Sequence, residues 1–188
     1  MKIKKLTMPS IKEIHTLIVD FDGVLTNNKV YINESGKEFV ACDRSDGLAF
    51  NFFNYFIKKN KLNIKCFILT KEKNKVVSAR AKKIGIECFC GVDNKIAFID
   101  LYLNNRFSKK LNFYPGVIYL GNDLNDLEAM EKVGFSVCPQ DSHPLILQTS
   151  DLILPCSGGD GFFRMFIEKL LNFESMTKKE IYELVSNC

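Results

Sequence analysis

The segment LIVDFDGVLTNN, Leu17 to Asn28, runs an apolar stretch into two carboxylates, Asp20 and Asp22, one residue apart. Packing has no use for such a pair. Close carboxylates repel each other, and each loses hydration on burial. A positive partner such as a metal ion relieves that cost. Taken singly, either acid also reads as a turn residue or a helix cap. Two of them after a buried run, with Gly23 next, favour a site. Other chemistry-bearing residues stand in similar places. Thr70 ends KCFILT, Lys95 follows ECFCGVDN, and Asn122 and Asp123 close VIYLGND, with Asn125 and Asp126 just beyond. Alone, Thr70 is a strand end, Lys95 a surface lysine and Asn125–Asp126 a helix start. Together they supply oxygen ligands for a hard cation such as Mg²⁺, and an ammonium and a hydroxyl for a phosphate.

The elements that must bring them together follow from patterning. TLIVD, KCFILT, ECFCG, VIYLGN, FSVCP and DLILP read as strands, several of them near-continuous apolar runs of the buried parallel kind. Helical patterns alternate with them. GLAFNFFNYFIKKN places Leu48, Phe52, Tyr55 and Phe56 on one face, and KNKVVSARAKKIG ends on Gly85 as a C-cap. NKIAFIDLYL and NDLEAMEKVG continue the series. The fold class is therefore α/β, a Rossmann-like parallel sheet with helices on both faces, and ligands of such sheets sit beyond the carboxyl ends of the strands. One β-hairpin, residues 29–40, interrupts the first crossover, with Val30, Tyr31 and Ile32 facing Phe39 and Val40 across Ser35-Gly36. GFFRMFIEKLL sets Phe162, Phe163, Phe166, Ile167 and Leu170 at core spacing, and TKKEIYELVSN opens with a Thr177–Glu180 capping box. These C-terminal helices, 157–188, complete one domain, 1–188.

Composition sets the bounds. The chain has 188 residues, 46% hydrophobic and 26% charged, which is globular and enough for one core. A net charge of +4 with no dense basic block beside aromatics gives no nucleic-acid footprint, and MKIKK reads as a solvated face. No run reaches the ~18 apolar residues of a membrane span, and no signal-peptide core is present, so a cytoplasmic protein is expected. Seven cysteines, an odd count, suit a reduced compartment. Cys88 and Cys90 form a C-x-C without a second pair, and read as half-buried strand residues rather than metal ligands.

DFDGVLT, ILT, DNK and GNDLND, in this order, resemble the four motifs of the haloacid dehalogenase superfamily of phosphotransferases. VYINESGKEFVACDRSDGLAF, KVGFSVCPQDSHPLIL and SGGDGFFRMFIEKLL resemble more closely the 3-deoxy-manno-octulosonate 8-phosphate (KDO 8-phosphate) phosphatase family and its sialic-acid relatives. The resemblance covers nearly the whole chain. It implies Asp20 as nucleophile, Asp22 as general acid and then base, and Thr70 and Lys95 as phosphoryl-binding groups. It implies Mg²⁺ held by Asp20, the Asp22 backbone carbonyl and Asn122, with Asp123 and Asp126 supporting the metal and Lys95. It also implies a homotetramer whose hairpins pair at the centre, and a neighbour's tail closing each site near Gly158, Gly159 and Arg164. Asp46, Gly47, Lys71 and Glu72 complete the expected substrate-binding set.

About fifty residues separate Asp20 from Thr70, and the hairpin and one helix consume them. About twenty-five separate Thr70 from Lys95. Neither interval leaves room for a larger cap domain. The expected substrate is a small sugar-acid phosphate, with neither nucleic acid nor membrane as partner. The chain departs from the family pattern at Asn122, where Asp is usual, and at Lys71-Glu72, where Gly-Arg is usual. Both departures look like the relatives that act on nonulosonate (N-acylneuraminate) 9-phosphates. Two other classes compete: a phosphoacceptor receiver domain, which places its acceptor after a middle strand, and a weakly active or non-catalytic oligomerisation partner of a sugar-acid cytidylyltransferase.

Overall fold

A computed structural model describes residues 7–107 and 112–187; MKIKK and Cys188 lie outside them. Strand β1, Thr16–Val19, is buried along its whole length and occupies the middle of a six-stranded sheet. It is followed in chain order by a hairpin of β2, Tyr31–Ile32, and β3, Glu38–Phe39. Then come β4, Lys65–Leu69; β5, Glu87–Phe89; β6, Val117–Leu120; β7, Phe135–Pro139; and β8, Leu152–Leu154. The sheet order is β5-β4-β1-β6-β7-β8, and every pairing is parallel. The chain leaves β1 toward β4 and β5, then crosses back to β6 on the other side. That reversal opens a crevice at the carboxyl end of β1, flanked by β4 and β6.

Local chemistry places the helices. Asp43 caps α1, Arg44–Lys59, by accepting from the Ser45 N–H at 2.6 Å. Asn74 caps α2, Lys75–Ile84, which ends on Gly85 in the left-handed conformation at φ 68°. Asn94 caps α3, Lys95–Arg106, and so sets Lys95 in its first turn. Helices α4, Leu127–Lys132, and α5, Pro144–Thr149, follow β6 and β7. Helix α6, Phe162–Leu170, buries all five residues read as its core face, and Phe163 stacks on Phe50 of α1 at 3.9 Å. The Thr177–Glu180 capping box opens α7, Lys178–Ser186.

One helix face differs from the expectation. Leu48 is 38% exposed, and α1 turns Ala49, Phe50, Phe52 and Phe53 inward instead. The partners cause the rotation. Phe50 lies on Phe163 and Phe52 against Phe173, while the Tyr55 hydroxyl donates outward to Glu183 at 3.1 Å. The six described cysteines are all free thiols. No helix among the described residues is long and apolar enough to cross a membrane.

Candidate active site

The carboxyl ends of β1, β4 and β6 bring the expected groups to one pocket of about 230 Å³, lined by Asp20, Asp22, Thr70, Asn122 and Asp123 among others. Lys95 is the buried link beneath it. Its Nζ lies 2.8 Å from Asp20 Oδ1 and 2.7 Å from Asp126 Oδ1, with almost no exposure on any of the three side chains. Asp126 is itself saturated. Its Oδ1 also accepts from the Tyr119 hydroxyl at 2.6 Å, and its Oδ2 accepts the backbone N–H of Asn122 at 2.9 Å. Asp126 thus ties the Lys95 ammonium to the backbone that carries Asn122.

The charges are strongly perturbed. Burial pushes the Asp20 carboxyl up, the Asp126 charge adds to the push, and Lys95 opposes both. Burial also raises Asp22, with the Glu72 carboxylate adding and a hydrogen bond from Thr26 opposing. Lys95 is held above its ordinary value: burial pulls it down, but the charges of Asp20 and Asp126 outweigh that. An anion-rich floor with one ammonium calls for more positive charge.

The residues fit a hard divalent cation. Asn122 Oδ1 is buried with no hydrogen-bond partner, and an unsatisfied acceptor there is costly unless something positive meets it. The Asn122 amide reaches its place because position 23 is glycine: a Cβ on Gly23 would stand 1.9 Å from Asn122 Nδ2, and Gly23 has φ +77°. Asp20, the Asp22 carbonyl and Asn122 make an all-oxygen donor set, the type Mg²⁺ prefers. Among the described residues no three His, Cys, Asp or Glu side chains cluster as a metal site, as expected when an amide supplies one donor.

Asp123 stands apart from Lys95. It is exposed at the pocket rim, and its carboxylate accepts from the Leu124 N–H at 2.7 Å. Thr70 is buried, and its hydroxyl accepts from the Glu72 N–H at 3.0 Å. Lys71 and Glu72 line the pocket. Glu72 Oε1 also accepts from the backbone of Lys73 and Asn74 at 2.6 and 2.8 Å, which steadies the turn before α2.

The rest of the expected substrate-binding set does not line this pocket in a single chain. Asp46 is 2% exposed, and its Oδ1 accepts from the Arg164 N–H at 2.9 Å, so it anchors the start of α6. Gly47 packs against Arg80, whose Nη2 would lie 3.1 Å from a Cβ. Gly158 and Gly159 press on the loop after β1. A Cβ at Gly158 would fall 1.9 Å from the Gly23 carbonyl oxygen, and Gly159 donates to Val24 O at 3.0 Å. Arg164 lies over the Phe52 ring and pairs with Glu168. Two residues passed over in the sequence belong to the site, Tyr119 on Asp126 and Asn28 on the pocket wall, where Asn125 also stands as expected from the GNDLND stretch. The TNN after the paired acids was the available signal for Asn28.

A carboxylate on the central strand, with the chain reversing about it, is the arrangement of haloacid dehalogenase superfamily hydrolases, and this chain has their fold. No family model matches the chain. The sequence is 37% identical over 168 residues to the KDO 8-phosphate phosphatase of Salmonella typhi, spanning 87% of this chain and 82% of that protein. The corresponding enzyme of Escherichia coli K12 is 37% identical over 164 residues, 85% of this chain and 80% of that one. The chain belongs to the KDO 8-phosphate phosphatase family, whose members are phosphomonoester hydrolases. Among solved structures, the family's Yersinia pestis enzyme matches with TM-score 0.73 and 28% identity over 86% of this chain and 83% of that one. The Moraxella catarrhalis enzyme, solved with magnesium, phosphate and KDO, matches with TM-score 0.74 and 28% identity over 86% and 88%.

Proposed function

We propose that this protein is a divalent-metal-dependent phosphatase that removes the terminal phosphate of a 2-keto-3-deoxy sugar acid, KDO 8-phosphate or a nonulosonate 9-phosphate. One observation carries the reading. Lys95 is buried between Asp20 and Asp126 at the carboxyl end of β1, and Asp126 also accepts the backbone N–H of Asn122, whose side-chain oxygen is buried without a partner. The relatives named for KDO 8-phosphate support the substrate class.

The roles follow from position. Asp20 attacks phosphorus and forms an aspartyl-phosphate, while Asp22 gives its proton to the departing sugar oxygen. Asp22, now a carboxylate, takes a proton from water, and the resulting hydroxide displaces phosphate and restores Asp20. Thr70 and Lys95 hold the phosphoryl oxygens through both steps. Asp20, the Asp22 carbonyl and Asn122 would hold Mg²⁺, which when bound screens the charge between carboxylate and phosphate. Asp126 and Tyr119 fix Lys95 from behind. Glu72 at the pocket wall accepts hydrogen bonds and disfavours a second anion there, biasing the site toward nine-carbon substrates. Lys71, which lines the pocket, is the cation offered to the substrate carboxylate, and Arg164 would serve only where a neighbouring subunit closes the site.

We also assign the hairpin to self-association into a homotetramer. Val30, Tyr31, Ile32 and Phe39 are 47–66% exposed on it, an apolar edge that a symmetric assembly would cover. The free thiols suit a cytoplasmic setting.

The test is phosphate release from KDO 8-phosphate and a nonulosonate 9-phosphate with Mg²⁺, for the native protein and Asp20→Asn. Turnover that the substitution reduces by more than about 10³-fold supports the assignment. Activity within about tenfold of native would remove Asp20 as nucleophile. No release from either substrate by the native protein would favour the scaffolding role beside a cytidylyltransferase.

A further inference from the structure

The edge strand β5 carries a thiol pair that the phosphatase chemistry does not use. Cys88 lies in the strand and Cys90 one residue past its end, both half-buried, with their sulfurs 3.2 Å apart. Ser78 Oγ of α2 lies 3.5 Å from Cys90 Sγ. The backbone between and after the two cysteines also braces the turn that carries Thr70. Phe89 O accepts the Thr70 N–H at 3.0 Å, Gly91 donates to Glu72 O at 2.9 Å, and Val92 donates to Thr70 O at 3.0 Å. Gly91 bends the chain there with φ +70°.

We propose that Cys88 and Cys90 form a reversible dithiol–disulfide site whose closure loosens the turn carrying Thr70 and Glu72. The thiol chemistry stands apart from the phosphatase reading; only its effect on turnover rests on that reading. The oxidant is a hydroperoxide. Burial, the hydrogen bond with Cys90 and the Cys90 charge push the Cys88 thiol up to about 12, so Cys88 keeps its proton and Cys90 supplies the attacking sulfur. Cys90 gives its proton to solvent, and its thiolate bonds to one peroxide oxygen. The O–O bond breaks, and the departing hydroxide takes a proton from solvent and leaves as water. Cys88 then attacks the sulfenic sulfur. The S–S bond forms, the S–O bond breaks, and the Cys88 proton leaves with that oxygen as a second water. The two thiols together lose two electrons, and one peroxide is reduced to water. A thiol reductant reopens the bridge by exchange. Closure shortens the backbone. Positions two apart on an extended strand span ~6.6 Å, whereas the Cβ atoms of a disulfide stand ~3.8 Å apart. The contraction falls on Phe89, the residue inside the ring, and turns its carbonyl away from the Thr70 N–H.

The experiment treats the full chain with hydrogen peroxide, blocks the remaining thiols and maps the tryptic peptides by mass, alongside Cys90→Ser. Both sulfurs fall in one peptide, Ile84 to Lys95. The native peptide is expected to lose two hydrogens and to regain them with dithiothreitol. Hydrogen exchange at the Thr70 and Val92 amides should quicken on oxidation of the native protein and stay constant in Cys90→Ser. Hydrolysis of p-nitrophenyl phosphate should fall reversibly by about 10–100-fold, the scale of a ~1 Å displacement in a positioning group, while the variant keeps its activity under peroxide. A peptide that stays reduced, or that carries only separate oxygen adducts on its sulfurs, overturns the site. A bridge that leaves amide exchange or turnover unchanged overturns its link to the Thr70 turn. If the reduced protein hydrolyses no phosphate ester, the phosphatase reading falls, and peptide mass and amide exchange still decide the thiol site.

Discussion

Asp46→Asn is expected to raise stability at alkaline pH and flatten its dependence on pH. Asp46 sits in the first turn of α1 with Oδ1 on the Arg164 N–H and Oδ2 buried without a partner. Burial pushes its carboxyl from 3.8 up to about 7; the backbone N–H of Arg164 opposes, the Asp43 charge adds, and Arg80 opposes again. The thiols of Cys42 and Cys156 also face it, and burial holds both neutral across the range concerned. A raised carboxyl binds its proton more tightly in the folded chain. Its favourable share is therefore complete below the ordinary carboxylate value and is lost as pH climbs through about 7. At about 1.4 kcal/mol per pH unit, the whole effect is about 4 kcal/mol, and between pH 5 and pH 8 about 2–3 kcal/mol of it is expressed. Asparagine keeps an acceptor for the Arg164 N–H but cannot ionise. Its new amide protons lack partners, a cost of about 1–3 kcal/mol that does not vary with pH. The informative quantity is thus the change in the native–variant difference, read from urea unfolding at pH 5 and pH 8 and at one protein concentration. The variant should gain about 2–3 kcal/mol on the native protein across that interval. A difference constant within about 0.5 kcal/mol would show that Asp46 is ionised in the fold and that a positive group reaches Oδ2.

Two further outcomes are expected. Asn122→Asp adds a carboxylate beside Asp20 and Asp126, so the metal-free protein should melt lower and Mg²⁺ should raise its Tm more than it raises the native one. Its half-saturating Mg²⁺ for turnover should fall several-fold, and identical titrations would mean that position 122 holds no metal. Tyr31→Lys with Ile32→Lys places charge on the exposed hairpin and should reduce the mass seen by light scattering to that of one chain; an unchanged assembly mass would move the interface elsewhere.

The candidate site was legible because its residues conflict with packing. Asp20, Asp22, Thr70 and Asn122 stand within three residues past the ends of β1, β4 and β6, and no core argument explains polar side chains clustered at such places. Tyr119 was hidden for the opposite reason. It lies in an apolar strand, fully buried, and only the fold brings its hydroxyl onto Asp126 seven residues later. The partner of Asp46, expected in the substrate-binding set, was hidden in the same way: it is a backbone N–H 118 positions on. Gly158 shows the limit most clearly. A glycine pair in a loop can mark a place for substrate or a place for neighbouring backbone, and spacing cannot choose between them. The Gly23 carbonyl occupies the position of its missing side chain. Gly23 in turn leaves room for the Asn122 amide. The two glycines therefore form one stack under the edge that carries Asn122, running from the C-terminal third through the loop after β1 to the turn after β6. Substitution of Gly158 should be felt at Asn122 before it is felt by any substrate.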